Sequence, residues 1–365
     1  MEHKIVSRIT EGAFRYQAWP TITKDQNGVL YLATSGHRLS HVCPFGKNLM
    51  YTSYDDGKTW SAPQIINDTW LDDRDAGILA WGEGKLLLTW FNHPPKAFLK
   101  WDAVCDKRPH YKVRTPLSLG MRALWDDLPE EEKRSGSFSK ISYDNGKTWS
   151  EPRPAPITSP HGPCLLSDGS LFWLGKEMEG SAFPSLETEK RIVAYRSADE
   201  GKTWEFVSAT PKPLGAEGDC HEPYAIQLSD GTILGSVRYH HGKGVAKTRT
   251  FLFSSNDNGK TWSEAEFVNE WGSPPHLLEH SSGAIILVYG KRSEVMGQYA
   301  RASLDKGKTW SKEALISSVA PDWDHGYPSS VELSNGDILT AYYQKYSGDD
   351  YTSLHTSRWS LKELL

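Results

Sequence analysis

Short apolar runs alternate with polar, glycine-bearing turns along nearly the whole chain. Six segments share one design: PTITKDQNGVLYLA, AGILAWGEGKLLLTW, HGPCLLSDGSLFWLG, PYAIQLSDGTILGSV, PHLLEHSSGAIILVYG and PSSVELSNGDILTAYY. Each holds two runs of strand length around a turn whose glycine is Gly28, Gly84, Gly169, Gly231, Gly283 or Gly336. Such a pattern predicts a β-hairpin. A second hairpin signal, S-x-D-x-G-K-T-W, recurs five times, at Ser53–Trp60, Ser142–Trp149, Ser197–Trp204, Ser255–Trp262 and Ser303–Trp310. The Asp can bond backbone N–H groups two residues on, and the Gly supplies a positive φ. The Trp can pack beneath the turn. Each copy has too few oxygen ligands, and no closing acid, to read as a metal loop.

Two hairpins per unit make a four-stranded antiparallel sheet, and a repeat near 50 residues means stacked supersecondary units. Six such sheets arranged radially predict an all-β fold, a six-bladed β-propeller carrying Asp-box hairpins. The final unit lacks an Asp box, and YTSLHTSRWS supplies its further strands, with the N-terminal strand closing the ring. The expected organisation is one domain over residues 1–365. The interval from Gly84 to Gly169 is 85 residues against 56, 62, 52 and 53 for the others, which marks an insertion at about 92–139. Within it, WDDLPEEEKR predicts a short helix with its charges matched to the helix dipole.

Composition narrows the function classes. A net charge of −5 lacks the basic excess of a nucleic-acid binder. No apolar run approaches the ~18 residues that span a bilayer. The start, MEHKIVSRITEGAF, shows no signal-peptide core, and Cys43, Cys105, Cys164 and Cys220 form no CxxC pair, so reduced thiols in a cytoplasmic protein are expected. No HxH or HExxH arrangement indicates a metal, and no cofactor motif is present.

The turn glycines provide a register for candidate chemistry. Nine residues before them stand Trp19, Asp75, Pro160, Glu222, Pro274 and Tyr327, and ten before them Ala18, Arg74, Ser159, His221, Ser273 and Gly326. One position, repeated around one mouth of the ring, thus carries Asp, Glu and Tyr beside Arg and His. Core packing does not choose such residues. The far ends of the second strands add Arg38, preceded by His37, with Arg238 and Arg292. An Arg fork suits a carboxylate, so an acidic ligand is expected. A ring of satisfied salt bridges closing the channel is the competing explanation.

Five Asp boxes on a six-unit repeat resemble the sialidase (neuraminidase) superfamily over nearly the whole chain. The resemblance implies a Glu before the inner strand of blade four and an Arg at the end of the next strand, which Glu222 and Arg238 match. It implies a Tyr nucleophile in Gly326-Tyr327-Pro328-Ser329. Arg38 resembles the family's first-blade Arg, and Arg292 can stand for its blade-five Arg. Two departures stand out. Where the family has an Arg–Ile–Pro element this chain has Ala18-Trp19-Pro20, and the stretch Leu39–Gly46 has no carboxylate but does have His41. The expected relative therefore uses Asp75 or His41 as proton donor and accepts a different sugar.

The leading expectation is an exo-acting glycoside hydrolase on a terminal acidic sugar of a glycan. Tyr327 is its nucleophile and Glu222 the base. Asp75 is the acid, its pKa raised by Asp72 and Asp73. Arg38, Arg74, Arg238 and Arg292 orient the sugar, and His161, His221, His276 and His325 shape subsites. A polysaccharide lyase on a uronate glycan, using Arg238, His41, His221 and Tyr327, is one alternative, and a non-catalytic glycan- or protein-binding propeller is another.

Overall fold

A computed structural model describes residues 1–93, 116, 119–120, 123–178, 182–183, 186, 191–241 and 248–365. It opens with β1 (Glu2–Ser7). Blade 1 is β2 (Tyr16–Lys24), β3 (Leu30–Arg38), β4 (Lys47–Ser53) and β5 (Gln64–Asn67). Blade 2 is β6 (Asp72–Trp81), β7 (Lys85–His93), β8 (Gly136–Ser142) and β9 (Arg153–Ala155). Blade 3 is β10 (Cys164–Leu165), β11 (Leu171–Gly175), β12 (Val193–Ser197) and β13 (Glu205–Ala209). Blade 4 is β14 (Asp219–Gln227), β15 (Ile233–His240), β16 (Thr248–Ser255) and β17 (Glu266–Phe267). Blade 5 is β18 (Pro275–Glu279), β19 (Ile285–Lys291), β20 (Gly297–Ser303) and β21 (Ala314–Leu315). Blade 6 is β22 (Gly326–Glu332), β23 (Ile338–Lys345) and β24 (Thr352–Trp359), with β1 as its outer strand. This is the expected six-bladed propeller, and its ring is closed by pairing the first strand of the chain with the last.

The hairpins form for the reasons the sequence carries. All six turn glycines have φ between 70° and 90°. In each Asp box the residue before the Gly is also left-handed, from Asp56 at 59° to Glu200 at 66°, so two successive positive φ values build a primed turn. The Asp bonds differ from expectation. In the first box Asp55 accepts from the Thr59 amide at 2.9 Å, four residues on, from the Thr59 hydroxyl at 2.7 Å and from Ser53 Oγ at 2.9 Å. The Gly57 amide donates to Ser53 Oγ at 3.0 Å. The other four boxes repeat this network, so each carboxylate is consumed inside its own turn.

Apolar packing lies between blades. Tyr16, Leu49, Leu339 and Leu354 join blades 1 and 6, Leu88 and Trp90 meet Tyr31 and Met50 between blades 1 and 2, and Phe172 and Phe253 lie between blades 3 and 4. Each blade thus buries both faces against neighbours, which is why β3, β11 and β19 are almost wholly buried. In the insertion the described part includes a short 3₁₀ helix, Glu130–Lys133, where a helix was expected. Residues 94–115, 117–118 and 121–122 of that insertion, and Cys105 with them, lie outside the described residues. Cys43, Cys164 and Cys220 are buried free thiols. No helix among the described residues is long and apolar enough to cross a membrane.

Candidate active site

Four of the six register positions, Trp19, Asp75, Glu222 and Tyr327, lie within the inner strands rather than before them, while Pro160 and Pro274 precede theirs. The ladders of β2, β6, β14 and β22 each slip at the same place, between Ala18 and Thr21, Arg74 and Gly77, His221 and Tyr224, and Gly326 and Ser329. At each bulge the ninth residue before the turn glycine is left-handed: Trp19 at 56°, Asp75 at 50°, Glu222 at 49° and Tyr327 at 54°. Of these, only Asp75 is of a type that tolerates this region readily; Trp, Glu and Tyr are not. Bulges re-aim side chains, and non-glycine positive φ costs of order 1–3 kcal/mol that surrounding structure must offset. Blades 3 and 5 have Pro160 and Pro274 at this position, whose rings forbid positive φ.

Four side chains are brought together. Tyr327 donates to Glu222 Oε1 at 2.6 Å, and Arg238 Nη1 bonds Glu222 Oε2 at 2.6 Å. Burial alone would raise the Glu222 pKa, but the Arg238 charge and the two hydrogen bonds outweigh it and hold the carboxyl at about 2. Burial raises Tyr327 well above the ordinary phenol value, and the charges of Glu222 and Asp75 raise it further. Asp75 is 7% exposed, and its Oδ1 has no hydrogen-bond partner. Burial pushes its carboxyl up to about 7; Glu222 adds to this, while Arg74 and Arg38 oppose it. The expected contribution of Asp72 is the smallest of these causes, and desolvation is the largest.

A model of the BNR repeat-like domain matches residues 127–340, more than half of the chain. The chain belongs to the BNR repeat-like family. A sialidase from Bacteroides fragilis is 24% identical over 247 residues, spanning 60% of this chain but only 42% of its relative. A Dyadobacter fermentans protein of unknown function superposes with a TM-score of 0.74 at 20% identity, covering 98% of both chains. The NanB sialidase of Streptococcus pneumoniae gives 0.68 at 13% identity, covering 99% of this chain and 71% of its own. The likenesses to solved structures establish the fold, a propeller similar to that of a bacterial sialidase.

In this family member Ala18, fully buried, stands where the resemblance implies an Arg, and Trp19, 2% exposed, follows it. Its ring touches Tyr327, Tyr343 and His41, with centroids 6.3, 6.2 and 5.0 Å away. The Arg74 guanidinium lies 4.4 Å over that ring, with Asp72 no nearer than 3.9 Å, and among the described residues its Nε has no hydrogen-bond partner. His41 stands at the mouth with its side chain 32% exposed and its Nδ1 3.0 Å from Asp324. Burial lowers its pKa, and Asp324 only partly restores it. His221 contacts Lys176 at 3.3 Å and pairs across the ladder with Arg238.

Five expected ligand contacts are corrected. Arg38 is fully buried and bidentate to Asp72 at 2.5 and 3.0 Å, beneath Trp19 rather than at the surface. A Cβ on Gly46 would come within 1.9 Å of this guanidinium, so the chain can cover the pair only with glycine. Asp73 turns away from the mouth and accepts from the Thr69 amide and hydroxyl at 2.8 and 3.0 Å. His325 is fully buried against Gln298 at 3.0 Å. His37 lines a separate cleft. Arg292 is partly exposed, but its Nε and Nη2 bond the carbonyls of Trp323 and His325, so it holds the segment that leads into β22 and Tyr327.

His161 and His276 form a floor one tier below. His161 bonds Thr21 Oγ1 at 3.1 Å, and His276 stacks on Tyr224 at 4.4 Å. Burial lowers both pKa values, that of His161 to about 3, so the floor is neutral. Beyond it a cavity of about 320 Å³ opens along the same inner strands.

The sequence reading missed Tyr16, Asp324 and Tyr343. Asp324 Oδ1 accepts from Tyr16 at 2.9 Å and from Tyr343 at 3.3 Å as well as facing His41. A signal existed. Twelve residues before the turn glycines of blades 1, 2, 4 and 6 stand Tyr16, Asp72, Asp219 and Asp324, two positions beyond the last one read.

Proposed function

We propose that the protein is an exo-acting glycoside hydrolase of sialidase-like type that removes a terminal acidic sugar from a glycan. The observation that carries this reading is the Tyr327–Glu222–Arg238 chain, 2.6 Å at each link, beside a carboxyl that keeps its proton near neutral pH. Tyr327 Oη attacks the anomeric carbon as its proton passes to Glu222, while Asp75 gives a proton to the departing glycosidic oxygen. Water then attacks the tyrosyl-linked sugar and returns its proton to Asp75, and Tyr327 leaves and recovers its proton from Glu222. Two anions side by side are disfavoured, so no free Tyr327 phenolate accumulates, and proton transfer accompanies carbon–oxygen bond formation.

The acid role goes to Asp75 because its pKa of about 7 keeps it protonated where His41, lowered below its ordinary value, has already lost its proton. Arg74 supports the acidic sugar: it is a cation at the mouth, 15% exposed, and its Nε has no hydrogen-bond partner among the described residues.

The test is a panel of terminal uronic- and ulosonic-acid glycosides with product analysis by mass and ultraviolet absorption. Release of an intact acidic sugar supports hydrolysis. An unsaturated uronate product shows a lyase, and binding without turnover shows a non-catalytic propeller.

A further inference from the structure

A second concavity, of about 790 Å³, lies beside the mouth. Its lining comes from the link between β1 and β2, the end of β3, the β3–β4 loop and the link between β5 and β6. Those links run directly into the strand segments that carry Tyr16–Trp19 and Asp72–Asp75, so the cleft opens on the same face as the candidate site. The β3–β4 loop is shared: His41 faces the mouth, while Phe45 lines the cleft. The buried Arg38–Asp72 pair, packed on Gly46, supports that loop from below.

The lining has the chemistry of a saccharide platform. Phe14 and Trp70 are 42% and 41% exposed, large apolar rings left open on one concave surface. Phe45 braces Phe14 edge-on at 5.7 Å. The Lys47–Asp68 ion pair and His37 supply donors and acceptors beside the rings. His37 has φ of 51°, the one left-handed non-glycine residue among the described residues that belongs neither to an Asp box nor to a mouth bulge. Aromatic faces take the C–H face of a sugar ring, and a few fixed polar groups orient its hydroxyls.

We propose that this cleft binds the neutral sugar rings on the leaving-group side of the cleaved bond, which makes it a subsite for the body of the glycan. The proposal deepens the hydrolase reading and rests on it for the term leaving group. Its occupant is a carbohydrate rather than an apolar molecule because charged groups stand beside the rings on the same wall.

Binding is tested on the full chain with cellotetraose, xylotetraose and lacto-N-tetraose as probes, by saturation-transfer NMR and titration. 4-Methylumbelliferone serves as the apolar control. At least one tetrasaccharide is expected to receive saturation from aromatic protons in the wild type and in Tyr327→Phe. Phe14→Ala/Trp70→Ala is expected to weaken that binding at least tenfold with an unchanged melting temperature, since both rings are already exposed. Absence of binding by all three, binding indifferent to the double variant, or preference for 4-methylumbelliferone overturns the proposal. Kinetics separate it from the parent reading. A tenfold rise in KM for an oligosaccharide, with none for the matching aryl glycoside, supports the cleft. Equal turnover of both by the double variant removes the cleft and leaves the hydrolase. Tetrasaccharide binding lost in the double variant, with no glycan turned over by the wild type, supports the cleft as a carbohydrate site and removes the hydrolase.

Discussion

The Asp-box turns at the blade edges and the bulges at the mouth use the same backbone device, a left-handed residue that is not glycine, to opposite ends. In the boxes the strain is repaid locally. Asp144 has both oxygens bonded to Thr148 and Ser142, and those bonds hold its carboxyl at about 2. At the mouth, Asp75 is aimed inward with Oδ1 unpartnered, and burial raises it to about 7. Two aspartates in one repeat protein therefore differ by about five units in pKa. Strain that is offset by its own hydrogen bonds is architecture. Strain that leaves a buried polar atom waiting points to a ligand.

The comparison breaks first at Tyr327. Tyr327→Phe is expected to lower kcat/KM by roughly a thousandfold or more, with the fold intact by circular dichroism, because it removes the nucleophile and leaves the ring packing on Trp19. Near-wild-type turnover would remove Tyr327 from the chemistry.

Asp75 comes next. Loss of a general acid costs about 10²–10⁴ in rate. In the wild type, kcat/KM is expected to fall as pH rises through about 7, where Asp75 loses its proton, and Asp75→Asn should lose both the rate and that limb. The same residue acts on stability. Its folded pKa lies above the unfolded value, so the folded state holds the extra proton between about 4 and 7, and stability falls as pH rises through that window. Asp75→Asn should thus melt higher than wild type at pH 8 and nearly level with it at pH 4. If the difference is the same at both values, the carboxyl is not titrating as described.

Arg74→Ala is a smaller effect and sharpens the acidic-sugar reading. It is expected to raise KM for an acidic glycoside roughly tenfold and to leave the melting temperature within a degree or two, since its Nε has no hydrogen-bond partner among the described residues. An unchanged KM assigns the anion contact elsewhere.

The smallest effect belongs to the boxes. Asp199→Ala removes the bonds to Thr203 and Ser197 and should lower the melting temperature by roughly 2–4 °C, while kcat/KM per folded molecule stays at wild type. A large loss of activity there would mean the blade-edge turns reach the mouth, against the division drawn here.

The repeats made much of this legible in the one-dimensional pattern. Glycines at fixed spacing mark turns because few other residues tolerate their φ. Boxes mark hairpins because Ser, Asp and Thr close the turn with their own side chains. Counting back from the glycines reached Asp75, Glu222 and Tyr327 because each bulged blade repeats the same number of residues between bulge and turn. Counting nine and ten back but not twelve passed over Tyr16 and Asp324. Arg38, Asp73 and His325 were misplaced for another reason. Side-chain direction around a bulge does not follow strict alternation, so strand-end position alone could not say that Arg38 turns down onto Asp72.

The sequence by itself therefore determined the number of blades, their turns and the ring positions able to hold chemistry, because these rest on local backbone preferences repeated at a constant interval. Only the tertiary structure decided which of those residues share a surface and which proton each one keeps. Burial, the reach of Arg238 to Glu222 and the empty side of Asp75 arise between blades that lie far apart along the chain.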